Sequence, residues 1–161
     1  MPRPAITRIG LISDTHGLMR PEALAALAGV AHIVHAGDIG SEEILSQLRT
    51  IAPVTAVRGN NDKATWAAGI AETEVLEIAG KLIYVLHDLA ELDLDPAAAG
   101  FSVVVTGHSH KPLVTQKGDV LYVNPGSAGP RRFKLPISVA LLEIDGTTIR
   151  AEIQELRLAA P

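Results

Sequence analysis

The chain has 161 residues and a formal net charge of −4, from 14 Lys and Arg against 18 Asp and Glu. Its 47% hydrophobic and 20% charged residues are typical of a single globular domain over 1–161, and no apolar run reaches the roughly 18 residues that a bilayer span requires. The lack of cysteine excludes disulfides and thiolate ligands, and the lack of a long basic run disfavours duplex nucleic acid as a partner. The first five residues do not resemble the start of a signal peptide, which predicts a cytoplasmic protein.

The first half of the chain alternates predicted strands with predicted helices. The elements are strands at 6–12, 33–36 and 53–57, a helix that begins at Pro21, and a helix over 41–51 with Ser41 as its cap. Parallel strands need a long connection, which is usually a helix. This half therefore predicts parallel strands covered by helices.

The second half is dominated by predicted hairpins. Their strand pairs are 72–78 with 81–86, 114–116 with 120–123, and 137–144 with 147–153. Asp145-Gly146 between the last two strands is the strongest short hairpin signal in the chain. Parallel units followed by hairpins predict an α/β fold of two packed mixed sheets with helices outside, with a single mixed sheet as the alternative.

Five of the apolar strands end in side chains that bind metals. The clusters are Asp14 with His16, Asp38, Asn60-Asn61-Asp62, His87, and His108 with His110. Each cluster alone also fits turn chemistry or a packed histidine, but five such coincidences are improbable. Ligands gather at the carboxyl ends of strands in sheets of this type, so the clusters predict one metal site with N and O donors.

The spacing of two residues strengthens the first and last clusters. In an extended chain this spacing places both side chains on the same side, so Asp14 and His16, or His108 and His110, can bind together. His35 lies inside an apolar run and is predicted to be a core residue, or else a residue that supports a ligand. His32 is predicted to be a surface residue of its strand.

These motifs, in their order and spacing, resemble those of the calcineurin-like metallophosphoesterases, and especially the short single-domain phosphodiesterases of bacteria and archaea. The matching motifs are Asp14-x-His16, Gly37-Asp38, Gly59-Asn60-x-Asp62, His87 and Gly107-His108-Ser109-His110. The resemblance implies a four-layer αββα sandwich of two mixed sheets flanked by helices, with a two-metal site at the strand ends. It assigns Asp14, His16 and His110 to one metal, Asn60, His87 and His108 to the other, and Asp38 to both; the implied catalytic residues are Asp38, His87 and His108.

The implied function is a metal-dependent phosphoesterase, either a phosphodiesterase, which is the leading expectation, or a phosphatase. It would hydrolyse a small phosphate ester by attack of a hydroxide bridging the two metals. Imidazole, carboxylate and amide donors suit Mn, Fe, Co, Ni or Zn, and Mn²⁺ is the leading expectation. The alternative is a non-catalytic metal-binding scaffold for protein interactions, as some relatives of this fold in protein sorting are believed to be. A nucleotide-binding α/β protein would show a glycine-rich phosphate loop after the first strand, and the sequence has none.

Two positions depart from the family pattern. Asn61 stands where larger relatives have a histidine that is thought to protonate the leaving group. Asp88 stands where glycine is frequent, and it is either a carboxylate that orients an imidazole or an ordinary loop residue.

Other residues near the motifs have two interpretations each. Asn124-Pro125-Gly126-Ser127 resembles a family motif near the site, or is a Pro-Gly turn that closes a strand. Arg131, Arg132 and Lys63 are candidate phosphate contacts, or belong to a solvated charged loop. Asp62 is expected to be a turn or supporting residue. The sequence leaves homo-oligomerisation open.

Overall fold

The computed structural model describes residues 6–158, which form two mixed sheets of five strands each. The strand order is β10-β9-β1-β2-β3 in the first sheet and β4-β5-β6-β8-β7 in the second. The strands are β1 (Thr7–Ile12), β2 (His32–His35), β3 (Val54–Ala56), β4 (Thr73–Ile78), β5 (Lys81–Leu86), β6 (Val103–Val105), β7 (Leu113–Lys117), β8 (Val120–Asn124), β9 (Ser138–Asp145) and β10 (Thr148–Glu155). The predicted fold of two mixed sheets is confirmed, and the single-sheet alternative is wrong.

The first sheet combines the predicted parallel unit with the last hairpin. Strands β1, β2 and β3 are parallel, and β9 runs antiparallel to β1. Two helices, α1 (Pro21–Ala26) and α2 (Glu42–Arg49), cover one face of this sheet. Leu27, which directly follows α1, and Leu45 of α2 are buried there with the sheet residues Ile12 and Ile33. Ser41 precedes α2 in an extended conformation, but its side chain makes no cap hydrogen bond.

The main core lies between the two sheets. Alternate residues of β1, Ile9 and Leu11, point into it and pack in one cluster with Val85 and Val105 of the second sheet. Because successive side chains of a strand point to opposite faces, the same strand can also bury Ile12 against the helices. The two faces of the first sheet are therefore both apolar, as a sheet covered on both sides requires.

The outer face of the second sheet is covered in a different way. Tyr84 and Val104 on this face pack against Phe101 and Leu92. Among residues 6–158 no α-helix covers it, since the segment that contacts it has only a short 3₁₀ helix, Leu89–Glu91, and turns. The fourth layer is thus an irregular segment rather than the expected helix. None of the described helices is long and apolar enough to cross a bilayer.

We expect Leu142→Ala to lower the free energy of unfolding by about 2–5 kcal/mol, because Leu142 is fully buried between the sheets and its loss leaves a cavity. Urea denaturation measures this change. The matched control is Leu113→Ala on the edge strand β7, where the side chain is 55% exposed and the loss should stay within about 0.5 kcal/mol. Equal losses in the two variants would contradict the placement of Leu142 in the core.

Candidate metal centre

Asp14 is the residue around which the centre is arranged. It follows β1 and is fully buried, and its Oδ2 accepts hydrogen bonds from the Ser13 hydroxyl at 2.7 Å and the His108 backbone N–H at 3.1 Å. The other oxygen, Oδ1, makes no hydrogen bond among the described residues. Burial by itself raises the pKa of Asp14, but the nearby His110 ring and the Ser13 hydroxyl outweigh burial and lower it, so the group is an anion at neutral pH.

Three histidine rings converge on this oxygen of Asp14. The distance from Asp14 Oδ1 to the histidine Nε2 atom is 3.4 Å for His110, 3.8 Å for His16 and 3.9 Å for His87. His16 Nε2 and His87 Nε2 are buried, and neither has a hydrogen-bond partner among the described residues. An unsatisfied buried polar atom costs about 1–3 kcal/mol. A cation held between these atoms would remove that cost, so the donors fit a metal.

Asp38, which follows β2, is the second carboxylate of the centre. Its Oδ2 lies 3.3 Å from His87 Nε2 and 3.8 Å from His16 Nε2. Asn61 holds it in place, since its backbone N–H donates to Oδ1 at 2.9 Å and its amide to Oδ2 at 3.2 Å. Burial by itself raises the pKa of Asp38, but the adjacent His87 ring and the Asn61 backbone N–H outweigh burial and lower it to about 2.

The tautomer of His87 follows from its surroundings. Its Nδ1 lies 2.7 Å from the carbonyl oxygen of Ala36, and a carbonyl only accepts, so Nδ1 carries a proton. This arrangement leaves Nε2 to face the carboxylates, as a metal-binding histidine does. Burial lowers the pKa of His87, but the nearby Asp38 carboxylate and the hydrogen bond to the Ala36 carbonyl more than compensate and raise it.

Two groups of donors therefore share one carboxylate. Asp14 belongs to both groups: the first also contains His16 and His110, and the second also contains Asp38 and His87. The ligand atoms of each group lie within 4.8 Å of one another. Five of the seven predicted ligands are thus brought together around two carboxylates.

Asn60 and His108, the other two predicted ligands, lie on the exposed side of the centre. His108 Nδ1 is 3.2 Å from Asn60 Oδ1, and the His108 ring centroid is 5.2 Å from that of His87. The three side chains line a cleft of about 250 Å³, into which the 46% exposed His108 side chain projects. Asn60 and His108 are thus adjacent to the centre but not inside either carboxylate group.

Asp88 combines the two interpretations that the sequence left open. Its Oδ1 accepts the Ala90 N–H at 3.0 Å and caps the 3₁₀ helix, while its Oδ2 lies 3.8 Å from His108 Nε2. The imidazole that this carboxylate faces is thus that of His108 and not that of the adjacent His87.

The backbone of the ligand pairs differs from the extended form on which the spacing argument rests. The φ angles are 55° at Asp14, 47° at His16, 55° at Asp38, 69° at His108 and 63° at His110. Left-handed values cost about 1–2 kcal/mol per residue other than glycine. The expectation that an extended strand brings side chains two residues apart together is therefore wrong. Asp14 with His16, and His108 with His110, are brought together by left-handed residues in the loops that follow the strands.

Asp62 is a supporting residue, as the sequence predicts. It is 3% exposed, and its Oδ2 accepts the backbone N–H groups of Ile39 and Gly59, each at 3.0 Å, while its Oδ1 accepts that of Gly40 at 3.0 Å. One carboxylate thus ties the loop after β2, which carries Asp38, to the loop after β3.

His35 supports the centre from below. It is fully buried, and its Nδ1 accepts a hydrogen bond from the Gly37 N–H at 3.1 Å. Its Nε2 therefore carries the proton and donates to the Thr15 hydroxyl at 3.0 Å. That hydroxyl donates in turn to the Ile39 carbonyl at 2.8 Å. Burial disfavours the charged ring and lowers the pKa of His35 to about 4. Both nitrogens are engaged, so this ring offers no proton to the cleft. His32 is half-buried and bonds to a threonine of β3 at 2.7 Å.

The segment 124–127 is both a turn and a part of the site. The Asn124 amide donates to the Gly107 carbonyl at 2.9 Å and to the Ser109 hydroxyl at 3.1 Å, and so shapes the loop after β6. The Ser127 hydroxyl donates to the Asp14 carbonyl at 3.1 Å. These bonds join the loops of both sheets, which spacing in the sequence does not reveal.

The cations near the centre differ from those singled out in the sequence. Arg58 was missed; it lines the cleft and pairs with Glu72 at 3.0 Å, and its only signal was its place before the Gly59-Asn60 motif. The predicted phosphate contacts Arg131, Arg132 and Lys63 are all exposed. Arg132 is nevertheless close to the centre: burial is the main cause that lowers the pKa of His16, and the charge of Arg132 adds to it.

Comparison with known proteins identifies the family. A family model described as the calcineurin-like phosphoesterase superfamily domain matches residues 7–147. A probable metallophosphoesterase of Methanothermobacter thermautotrophicus is 36% identical over 165 residues, which cover 95% of this chain and 94% of the relative. The chain therefore belongs to the calcineurin-like phosphoesterase superfamily.

More distant relatives have the same fold or a similar length. Phosphodiesterase YfcE of Escherichia coli K12 is 26% identical over 169 residues, covering 86% of this chain and 89% of its own. The crystal structure of wild-type Vps29 from Entamoeba histolytica, complexed with zinc, has a TM-score of 0.72 at 25% identity and covers 92% of this chain and 99% of its own. The chain is thus similar in sequence to a protein named phosphodiesterase over most of both lengths, and it shares its fold with the Vps29 structure.

We expect Asp38→Asn and Asp62→Asn to separate metal affinity from stability. Asp38→Asn removes a charge that faces two histidines, so it should lower affinity for divalent metal by about tenfold or more. Asp62→Asn replaces an acceptor of three backbone N–H groups and should lower the free energy of unfolding by about 1–3 kcal/mol. Calorimetric titration with Mn²⁺ and urea unfolding measure both quantities, and a larger loss of affinity in Asp62→Asn would contradict a bridging Asp38.

Proposed function

We propose that the protein is a metal-dependent phosphodiesterase that hydrolyses a small phosphate ester at this centre. The observation that carries the proposal is the convergence of three histidine Nε2 atoms on one unpaired oxygen of Asp14, at 3.4, 3.8 and 3.9 Å. Membership of the phosphoesterase superfamily and the similarity to a protein named phosphodiesterase support this reaction class.

The proposed ligand sets keep the family assignment. Asp14, His16 and His110 would hold one ion, Asn60, His87 and His108 the other, and Asp38 would lie between them. Nitrogen and oxygen donors without thiolate suit Mn²⁺, our leading candidate, as well as Fe, Co, Ni or Zn. Two divalent ions held by these residues would supply the nucleophile by lowering the pKa of bound water, and they would offset the charge of the phosphate.

The residues of the chain itself orient the donors and the ester. Asn61 fixes the Asp38 carboxylate through two hydrogen bonds, and the Ala36 carbonyl fixes the His87 ring. The cleft beside Asn60 and His108 is open to solvent at the exposed His108, so the ester enters there. Arg58 lines this cleft, and its guanidinium is suited to the phosphate oxygens.

The leaving group departs without a histidine acid in this proposal. The amide of Asn61 cannot release a proton near neutral pH, and it is engaged with Asp38 at 3.2 Å. His35 is fully buried and its nitrogens are bonded to Gly37 and Thr15. A leaving group of low pKa needs no such acid, so the rate of hydrolysis should depend on the pKa of the leaving group.

Three further properties stay predictions. They are a single domain over residues 1–161, a cytoplasmic location, and the absence of duplex nucleic acid among the partners.

We expect chelation to abolish hydrolysis of bis(p-nitrophenyl) phosphate and Mn²⁺ to restore it, with two ions bound per chain by elemental analysis. The physical reason is that the nucleophile and the charge neutralisation both come from the ions. Chelator saturated with Ca²⁺ is the control for effects of the chelator itself. Full activity in protein shown to be free of metal would contradict the proposal, and two bound ions without turnover of any phosphate ester would favour the interaction scaffold.

We expect the rate to depend steeply on the pKa of the leaving group. A positioned general acid contributes about 10²–10⁴-fold, so p-nitrophenyl diesters should be hydrolysed faster than alkyl diesters by at least about 10²-fold. Asn61→His should selectively accelerate the alkyl esters if its ring reaches the leaving oxygen. The measurement is kcat over a series of aryl and alkyl diesters, with chemistry shown to be rate-limiting. A flat series would mean that another group donates the proton.

A further inference from the structure

The loop of residues 129–136 carries an aromatic ring that the fold leaves in solvent. Phe133 is 92% exposed, more than any other large apolar side chain among residues 6–158. Its φ of 53° is a left-handed value, which is a genuine outlier for a bulky residue. A strained, solvent-exposed aromatic residue contributes nothing to the core, and such strain concentrates at functional sites.

Positive charge surrounds this ring. Arg131, Arg132 and Lys134 flank Phe133 in the sequence, and all are exposed. None of the three forms an ion pair with another residue in the described part of the chain. In a protein with a net charge of −4, three unpaired cations in four positions form a local site for anions.

The loop is fixed at its base against the metal centre. The Ala128 N–H donates to the Ser13 carbonyl at 3.1 Å, and the Arg20 guanidinium donates to the Gly129 carbonyl at 3.1 Å. A Cβ at Gly129 would overlap the carbonyl oxygens of Asp14 and Thr15, so this approach is as close as the backbone allows. The loop therefore rises from the same backbone segment that carries Asp14.

The combination of groups specifies a ligand chemistry. Unpaired cations alone would suit any phosphate, and an exposed ring alone would suit any apolar partner. A solvent-exposed ring set among cations is the arrangement that binds single-stranded nucleic acid, in which bases stack on the ring and phosphates contact Arg and Lys. The loop begins at Gly129, which approaches the backbone of Asp14 and Thr15, so a ligand bound to the loop would lie next to the candidate metal centre.

We propose that residues 130–134 form a nucleotide subsite in which Phe133 stacks on a nucleobase and Arg131, Arg132 and Lys134 contact its phosphates, so that the preferred substrates are phosphodiesters of nucleosides. The substrate class rests on the proposed function, whereas the binding of the base does not. Two sources share this chemistry, a small nucleoside diester and the end of a single strand.

The first test compares two diesters with the same leaving group, the p-nitrophenyl esters of thymidine 5′-phosphate and of methyl phosphate. Loss of base stacking in Phe133→Leu should lower the ratio of kcat/KM between them by about tenfold or more in the Mn²⁺-loaded enzyme. Phe133→Trp keeps a stacking ring and should keep the ratio. Val75→Ala changes another exposed apolar side chain, on the edge strand β4, and should leave the ratio within about twofold.

The second test measures binding without turnover. Oligothymidylate labelled with a fluorophore should bind the protein, with weaker affinity in Phe133→Leu and a shallower salt dependence in the double variant Arg131→Gln and Lys134→Gln. Arg150→Gln, on β10, is the control for loss of an exposed cation. Tighter binding of longer oligomers would identify the single strand as the source, and equal binding of a dinucleotide would identify the small diester.

The outcomes separate this inference from the proposed function. Failure to hydrolyse any diester, together with Phe133-dependent binding of oligothymidylate, would overturn the enzymatic proposal and keep the subsite. Turnover with the same selectivity and affinity in Phe133→Leu would keep the enzyme and overturn the subsite. A change in oligomeric mass on Phe133→Leu, by sedimentation, with unchanged binding of oligothymidylate would assign the ring to an interface between copies and also overturn it.

Discussion

The candidate metal centre depends on the different contacts that the two carboxylate oxygens of Asp14 make. Oδ2 accepts the Ser13 hydroxyl from the first sheet and the His108 backbone N–H from the second, at 2.7 and 3.1 Å. This leaves Oδ1 to face His16, His87 and His110 from three different loops. A single carboxylate therefore joins the two sheets and also provides the focus for the ligands, so the geometry of the metal centre and the packing of the sheets are fixed together.

The loops around Asp14 are held by hydrogen bonds rather than by apolar packing. Asp62 accepts three backbone N–H groups from the loops after β2 and β3, and the buried His35 links Gly37 to Thr15. These bonds hold the left-handed residues, whose conformations each cost about 1–2 kcal/mol. The buried histidine nitrogens without partners add a further cost, which bound metal would relieve. The site therefore trades stability for a preorganised set of donors, as functional sites commonly do.

The surroundings of the centre are polar and charged on two sides. On the side of His108 the cleft is lined by Arg58, Asp88 and Glu91, and on the side of His16 the loop with Arg132 and Phe133 begins. In the proposed phosphodiesterase these two walls would set the selectivity for the ester, because they are formed by loops that a rigid pair of sheets positions.

Local sequence determined those features that depend on near neighbours. Apolar runs and helix starts such as Pro21 predicted the parallel unit, and Asp145-Gly146 predicted the last hairpin, because strand and turn preferences act over a few residues. The identities of the donor residues at the strand ends, together with the resemblance to the family, predicted the candidate ligands.

Only the tertiary structure decided the features that join distant segments. The bond from His108 to Asp14 across 94 positions and the bond from Ser127 to Asp14 across 113 positions have no counterpart in local pattern. The left-handed conformation of the ligand residues is equally absent from the local pattern, although Asp and His adopt it more readily than most residues other than glycine. The roles of Arg58 and Phe133 also remained hidden, because a charge or a ring acquires its meaning only when the fold places it beside the centre and leaves it exposed.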